Sequence, residues 1–287
     1  MILNADDFGI SPAVDEGILL LIEKHRLSST SCMVCGSNPE LEKNLTRLKS
    51  YRSAIDVGLH IVLTDTNPLS EQKVQDGLVG HSGKFKSLKN LAIESYLAKI
   101  DHASVHREIN AQIEKFISIF GEPPAFLDGH QHVQQLPIVR QAVASAMKIY
   151  NTIGYVRTAN LPLKWLLNYS KSGSNRYIFE NLGLAIPGRG SASFFDSEGI
   201  KHNRYLLGYY RPGEDVFFKS VFKEYLKIKP SNNDVFFCHP GFVDAHLIKV
   251  DALVESRQDN LNFLLSAEFE DLCNSNELSI NRFPSEA

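Results

Sequence analysis

The stretch Asn4-Ala5-Asp6-Asp7-Phe8-Gly9 lies almost at the N-terminus, directly after the apolar residues Ile2 and Leu3. Ser11-Pro12 and a periodic apolar run from Val14 to Leu21 come after it. A serine followed by proline is a favoured way to begin a helix, because the serine caps the free N–H groups and proline suits the first position. The stretch therefore predicts a strand, an acidic turn and a helix.

The adjacent carboxylates of Asp6 and Asp7 would repel each other at the end of a buried strand, and burial disfavours their ionisation. A divalent cation is the commonest remedy, and it would leave one carboxylate as a ligand and the other free as a base. Taken alone, the pair is explained equally well as a helix cap with a first-turn carboxylate.

Size and composition limit the classes of protein to consider. The chain has 287 residues, of which 43% are hydrophobic and 22% charged, and its net charge is -3. These values predict one globular domain over residues 1–287 and no nucleic-acid partner. The sequence shows no apolar run of membrane-spanning length and no signal peptide, so we expect a cytoplasmic protein without a membrane partner. A homodimer remains open.

The four cysteines are interpreted as structural. Cys32 and Cys35 have CxxC spacing, but they lie in an apolar, strand-like segment without the helix start of a redox motif. Cys238 and Cys273 form no pair with zinc-finger spacing. We therefore expect buried, reduced cysteines.

Helical and strand-like segments alternate along the chain. Strands are predicted near residues 2–5, 31–34, 54–63, 125–127, 154–157 and 234–237. Helices are predicted near residues 12–26, 38–49, 90–100, 104–120, 136–150, 215–228 and 256–265. Residues 64–89 are expected to form a long functional or mobile loop, and residues 160–213 an irregular region. Apolar strands alternating with helices are typical of a parallel α/β sheet or barrel.

Ionisable residues recur where four of these strands end: Asp6, Asp7, His60, Asp128, His130, His132 and His239. Functional groups of parallel α/β folds gather at the carboxyl ends of the strands, so these side chains would share one rim. One carboxylate and two neutral imidazoles suit Zn²⁺ or another first-row divalent ion, with positions left open for water and substrate.

Each histidine also has a purely structural interpretation. His60 could be a hydrogen-bonded core histidine, and His239 before Pro240-Gly241 could be a turn residue. His130 and His132 are two residues apart, so in a strand-like geometry both would point to the same side, whereas a turn at Gly129 would separate them. The recurrence of ionisable groups at four strand ends favours a site over packing.

The same residues also resemble a known family. Asn-Ala-Asp-Asp-Phe-Gly at 4–9, Gly58-Leu59-His60, Asp128-Gly129-His130-Gln131-His132-Val133 and Cys238-His239-Pro240-Gly241 resemble motifs of the YdjC-like (ChbG-like) carbohydrate deacetylases. The resemblance implies a distorted, TIM-barrel-like (β/α) barrel related to polysaccharide deacetylases. It also implies one divalent metal ion, Mg²⁺ or Zn²⁺, and hydrolysis of the N-acetyl group of an amino sugar such as a chito-oligosaccharide.

The resemblance assigns roles to individual residues. Asp7, His60 and His130 would bind the metal, Asp6 would be the general base and His239 the general acid.

Three further residues would lie around this centre. Arg157 would orient Asp6 or stabilise charge, while His132 and Asp128 would support the site or contact the substrate. Gln134 departs from the family pattern, which often has histidine there, and the irregular region 160–213 would shape the sugar pocket.

Other functions remain open on the sequence. A metal-dependent phosphoesterase would need a second metal or more basic residues than Arg157. A catalytically silent sugar-binding protein would need neither Asp6 nor His239. A glycosidase could use Asp6 and Asp128 as its carboxylate pair, but the histidines would then be unexplained.

Overall fold

The computed structural model describes residues 1–162, 175–209 and 218–284. Its strands are β1 (Ile2–Phe8), β2 (Ser29–Cys32), β3 (Asp56–Ile61), β4 (Phe126–Gly129), β5 (Tyr155–Val156), β6 (Leu206–Leu207) and β7 (Val235–Cys238). Its helices are α1 (Pro12–Glu23), α2 (Leu41–Lys49), α3 (Leu88–Tyr96), α4 (His102–Phe120), α5 (Pro137–Ile149), α6 (Asn175–Ser197), α7 (Phe218–Leu226), α8 (Leu247–Val250), α9 (Glu255–Leu265) and α10 (Ala267–Ser275).

The described strands form one sheet in the order β5-β4-β3-β2-β1-β7-β6, and every neighbouring pair is parallel. Its two edges meet, because β5 is bonded to the segment that leads into β6, and β6 is bonded to the segment that follows β5. Val156 N donates to Lys201 O at 3.0 Å, and Leu206 N donates to Asn160 O at 2.8 Å. The prediction of a distorted parallel α/β barrel is confirmed, and the distortion lies at this sparsely bonded seam.

The inner face of the barrel changes from apolar at one end to polar at the other. Along β4, Phe126 and Asp128 point to the same side, as do Gly58 and His60 along β3, because strand side chains alternate. A Cβ at Gly58 would lie 2.5 Å from the Phe126 ring, so a glycine is needed for the ring to fill the barrel there. Phe126 stacks on Tyr155, which closes this end of the interior.

Helix α1 begins as the sequence predicts. Ser11 Oγ accepts a hydrogen bond from Val14 N at 3.2 Å, and Pro12 occupies the first helical position. The four cysteines are buried and unpaired, as expected. None of the helices in the described ranges has the length and apolarity needed to cross a bilayer.

The expectation of an irregular region at 160–213 is wrong for its middle, where α6 runs through Pro187 and Gly188. Glycine and proline disfavour helices on their own, but tertiary packing overrides them here. A Cβ at Gly188 would lie 2.2 Å from Ala159 O, so only glycine lets this helix approach the strand exit so closely. Residues 163–174, and residues 215–217 of the predicted helix 215–228, lie outside the described residues.

The long loop before α3 contains a short 3-10 turn, Val74–Asp76, and an isolated antiparallel bridge between Val79 and Phe85. It is fastened to α4 by the buried carboxylate of Glu108, which accepts hydrogen bonds from Leu69 N and Ser70 N at 3.1 and 2.9 Å. The loop is therefore held in place by the barrel at this point.

Candidate functional site

The strand order brings the predicted residues to one rim. β1 supplies Asp6 and Asp7, and it lies beside β7, which is followed by His239. β3 and β4 supply His60 and Asp128 on the other side of β2. In the register between these two strands, His60 lies directly opposite Asp128.

An irregularity in β1 lets two consecutive aspartates face the same rim. Asn4 Nδ2 donates to Asp6 Oδ1 at 2.7 Å, which places both side chains on the inner face of the strand. Asp7 would then point outward, but its φ of 68° is left-handed and the register with β2 shifts between Ala5 and Phe8. Such a bulge redirects a side chain, and here it turns Asp7 towards the rim.

Asp7 lies at the centre of the site. Its Oδ1 is 2.9 Å from His130 Nδ1 and 3.2 Å from His60 Nε2, while its Oδ2 accepts a hydrogen bond from Arg257 at 2.6 Å. Burial opposes ionisation of this carboxyl, but Arg257 and His130 outweigh it and hold its pKa well below the usual value. Asp7 is therefore a permanent anion with one oxygen facing two imidazoles.

His60 is fixed by neighbours on both ring nitrogens. Its Nδ1 lies 2.7 Å from Asp128 Oδ1 and 3.2 Å from Ser31 Oγ. Burial lowers the pKa of His60, but Asp128 and Asp7 together raise it to about 10. A carboxylate on one ring nitrogen is also the usual way to orient a metal-binding histidine through its other nitrogen.

Asp6 is paired with Arg157, whereas the adjacent Asp7 is paired with Arg257. Both oxygens of Asp6 accept hydrogen bonds from Arg157, at 2.5 and 2.7 Å. Burial would raise the pKa of Asp6, but the guanidinium outweighs it and lowers the pKa to about 2. Arg157 also lies 3.1 Å from Asp128 Oδ2, so one buried guanidinium joins both carboxylates. The predicted link between Arg157 and Asp6 is present.

His130 and His132 do not point to the same side, so that expectation is wrong. Gln131 and His132 have φ of 54° and 57°, which makes the segment a left-handed turn instead of an extended strand. His132 packs between Phe237 and Tyr209, with ring centroids 5.3 and 5.4 Å away. Burial lowers the pKa of His132 to about 3, so it is a neutral ring in the wall beside the site.

His239 approaches Asp7 from β7, with its Nε2 3.9 Å from Asp7 Oδ2. Its backbone N–H donates to Asn260 Oδ1 at 3.1 Å, which fixes the turn after the strand. Burial lowers the pKa of His239, although the nearby Asp7 and Asp6 oppose this effect.

Arg257 was missed by the sequence reasoning. It comes from α9, outside every motif, and its side chain is fully buried between Asp7 and Asp251. Its Nε donates to Asp251 Oδ2 and Leu253 O, each at 3.0 Å. No local pattern distinguishes it from a surface arginine of a helix, because Asp7, the partner that places it in the site, comes from the other end of the chain.

Gln134 supports the strand exit that carries Arg157. Its Nε2 donates to Arg157 O at 3.0 Å, and Gln135 Nε2 lies 3.3 Å from the same oxygen. The residue that departs from the family pattern is therefore buried behind the site, away from the imidazoles.

The donor set of Asp7, His60 and His130 fits a divalent metal ion. One ligand atom from each lies within 4.8 Å of the other two. Asp6, His60 and Asp128 form a second such group, but Arg157 already contacts both of its carboxylates. Three buried carboxylates face two buried guanidiniums, and the raised pKa of His60 makes its imidazole the third cation, a role that a bound metal ion would take over.

Comparison with known proteins gives the family. The model of the YdjC-like protein family matches residues 1–275, and the chain belongs to this family.

Two relatives are chitooligosaccharide deacetylases, one from Yersinia pestis bv. Antiqua (strain Angola) and one from Yersinia pseudotuberculosis serotype O:1b. Each is 27% identical over 250 residues, which cover 86% of this chain and 84% of the relative. A crystal structure from Enterococcus faecalis V583, provisionally described as a cellobiose-phosphate cleavage protein, has the same fold. It matches with a TM-score of 0.70 at 19% identity and covers 100% of this chain and 98% of its own.

Proposed function

We propose that this protein is a metal-dependent carbohydrate deacetylase that hydrolyses the N-acetyl group of an amino sugar, such as a chito-oligosaccharide. The observation that carries the proposal is the convergence of Asp7, His60 and His130 beside an ionised Asp6 and His239, which follows the neighbouring strand β7. The relatives named chitooligosaccharide deacetylase support the same reaction class.

Asp7, His60 and His130 would hold the metal ion. When bound, a divalent ion such as Zn²⁺ or Mg²⁺ supplies a Lewis acid that polarises a carbonyl and lowers the pKa of water. Arg257 occupies the second oxygen of Asp7, so the carboxylate presents only Oδ1 to the two imidazoles. Asp128 keeps the His60 ring in place.

Asp6 would accept a proton from the attacking water. Arg157 holds this carboxylate in one orientation and keeps it ionised, at the cost of part of its basicity. The water oxygen bonds to the acetyl carbon, the carbon–nitrogen bond breaks, and His239 donates a proton to the leaving nitrogen. His239 must be protonated for this step, and Asp7 and Asp6 favour its protonated form against the effect of burial. The products are acetate and a free amino sugar.

The first prediction concerns Asp6. Replacing Asp6 with Asn should lower kcat for acetate release from diacetylchitobiose by about 10²–10⁴-fold, the usual effect of losing a general base. Metal content, measured on the same samples by elemental analysis, should stay near the wild-type value because Asp6 is not among the proposed ligands.

His130→Ala and the exposed His102→Ala form the matched comparison. The first should lose both metal and activity, and the second neither. Asp6→Asn protein that lost its metal but kept its rate per bound metal would reverse the assignment of the two aspartates. Hydrolysis of a generic phosphoester instead of the acetylated sugar would favour the phosphoesterase reading, although Arg157 and Arg257 are both already paired with carboxylates.

A further inference from the structure

Asp251 is the second anion that contacts Arg257. Its Oδ2 accepts hydrogen bonds from two nitrogens of the guanidinium, Nε at 3.0 Å and Nη2. The same Nη2 donates to Asp7 Oδ2 at 2.6 Å. Because a guanidinium is planar and its donors have fixed directions, the two bonds to Asp251 set the direction in which Arg257 meets Asp7.

The Asp251 carboxylate is itself held at the junction between α8 and α9. Its Oδ1 accepts a hydrogen bond from Leu253 N at 3.1 Å, and the backbone N–H of Asp251 donates to Leu247 O at 2.9 Å. The side chain is only 14% exposed, so most of it is shielded from solvent. Asp251 is therefore a fixed acceptor and not a mobile surface carboxylate.

The Arg257 side chain has few other acceptors. Within the described residues, its donors reach Asp7, Asp251 and the carbonyl of Leu253. The backbone of Arg257 is anchored separately, since Gly241 N donates to Arg257 O at 3.2 Å. Loss of the Asp251 carboxylate would therefore release the guanidinium while the helix backbone stays in place.

The second anion also changes the charge that Asp7 offers to a metal ion. One guanidinium beside one carboxylate forms a neutral pair, and its positive charge repels a cation at the remaining oxygen. Asp251 supplies a second negative charge to Arg257, so Asp7 is oriented by the guanidinium without being neutralised by it. Hydrogen-bonded partners behind a ligand commonly tune a metal site in this way.

We infer that Asp251 is a positioning residue for Asp7 and that it acts through Arg257 to set the affinity of the site for its metal ion. This inference rests on the metal site of the proposed function. It adds a residue outside every sequence motif, on the loop between α8 and α9. Asp251→Asn should weaken Zn²⁺ binding about tenfold, the lower end of the usual effect of removing a partner behind a metal ligand.

Calorimetric titration of the full chain with Zn²⁺ measures this affinity, and circular dichroism shows whether each variant folds. A double-mutant cycle separates action through Arg257 from a general effect of the mutation. In the Arg257→Gln background, Asp251→Asn should weaken binding by less than about twofold more, because its route to Asp7 has already been removed. Asp251→Glu keeps the carboxylate and should bind Zn²⁺ more tightly than Asp251→Asn.

Asp65→Asn is the matched control for the loss of one negative charge. Asp65 is exposed, and it lines a cavity of about 190 Å³ beside His130 together with Asp251. Its φ of 59° is left-handed, a conformation that asparagine also adopts readily. Asp65→Asn should therefore fold and bind Zn²⁺ with the wild-type affinity.

Three results would overturn the inference: wild-type affinity in Asp251→Asn, an equal loss in Asp65→Asn, or the full loss repeated in the Arg257→Gln background. If one of these appeared while the wild type released acetate, the positioning role would be removed and the reaction kept. The expected pattern of affinities without acetate release by the wild type would support the positioning role and remove the reaction. Wild-type protein that bound no Zn²⁺ would overturn both.

Discussion

At the residue scale, Asp6 and Asp7 are neighbours in sequence that face different cations. Asp6 is held by Arg157 through both oxygens, whereas Asp7 shares its two oxygens between Arg257 and the pair of imidazoles. Both arginines keep their carboxylates ionised, and Arg257 in addition leaves Asp7 with a single oxygen for the imidazoles. This difference in environment suits the different roles proposed for the two aspartates.

A prediction at this scale concerns Arg257. Arg257→Gln should weaken metal binding about 10–100-fold, the usual effect of removing a group that orients a ligand. Arg257→Lys should have an intermediate effect, because lysine keeps the positive charge but lacks the planar guanidinium with its several N–H donors. Titration with Zn²⁺ measures the affinity directly, and circular dichroism shows whether the variants fold.

Arg204→Gln is the matched control, since Arg204 pairs with Asp234 away from the rim. If folded Arg257→Gln bound Zn²⁺ with the wild-type affinity, Arg257 would not be needed to orient Asp7 for the metal.

At the element scale, the loops around the rim are fastened by buried carboxylates. Glu108 of α4 accepts hydrogen bonds from Leu69 N, Ser70 N, Ser70 Oγ and Gln112 Nε2. Thr64 and Thr66 of the same loop line a cavity beside His130. Asp15 of α1 plays a similar part at the other wall, where it accepts from Gly9 N at 2.5 Å and from Asn38 and Asn44 at 2.9 Å.

Glu108→Gln should raise KM for diacetylchitobiose several-fold with little change in kcat. The amide offers one acceptor oxygen where the carboxylate offered two, and each buried donor left unpaired costs about 1–3 kcal/mol. Steady-state kinetics measures KM and kcat separately and would show which of the two changes. Glu114→Gln, an exposed position on the same helix, should behave as the wild type, and a fall in kcat alone in Glu108→Gln would contradict a loop-positioning role.

Asp15 predicts a pH dependence of stability. Burial raises its pKa from 3.8 to about 7, although Gly9, Asn44 and Asn38 donate hydrogen bonds that oppose the shift. A carboxyl whose pKa is raised by folding contributes most to stability below the unfolded pKa, and this contribution is lost as the pH rises through the folded pKa. The free energy of unfolding should therefore fall between about pH 4 and pH 7.

Urea unfolding at a series of pH values measures this slope. Asp15→Asn cannot titrate, so its slope over the same window should be shallower than that of the wild type, whatever its absolute stability. Parallel slopes in the two proteins would show that other groups cause the dependence.

At the scale of the whole molecule, the C-terminal tail closes the end of the barrel opposite the site. Arg282 Nε donates to Asp56 Oδ1 at 2.6 Å, and Phe283 stacks on Tyr155 with ring centroids 3.9 Å apart. Asn281 N donates to Met1 O at 2.9 Å, so the tail also joins the start of β1. The C-terminal tail and the candidate site thus lie at opposite ends of the same strands.

Phe283→Ala should lower the free energy of unfolding by about 1–2 kcal/mol, because this ring is only partly buried. The kcat for acetate release should be unchanged, since the ring lies at the other end of the barrel. Tyr96→Ala, an exposed aromatic on α3, is the control for stability and should have almost no effect. Loss of activity without loss of stability in Phe283→Ala would contradict the separation of the tail from the candidate site.

Much of the fold could be predicted from local pattern. Apolar strands alternate with helices, and the cap of α1 at Ser11 follows from hydrogen bonding within four residues. α6 could not be predicted, because Gly188 is chosen for contact with Ala159 and not for helix formation. The same limit explains why His132 was expected on the side of His130: the left-handed turn that separates them depends on packing against Phe237 and Tyr209.

By itself, the sequence pattern determined a parallel α/β fold and the set of ionisable residues at its strand ends, since strand period and strand termini are local properties, whereas the barrel was implied by the family resemblance. The tertiary structure decided which of these residues meet. The bulge that turns Asp7 towards the rim and the contact of Asp7 with the buried Arg257 from α9 both depend on groups far apart in the chain. The guanidiniums that keep the buried aspartates ionised reach them only in the folded chain, so these charge states exist only once the barrel has closed.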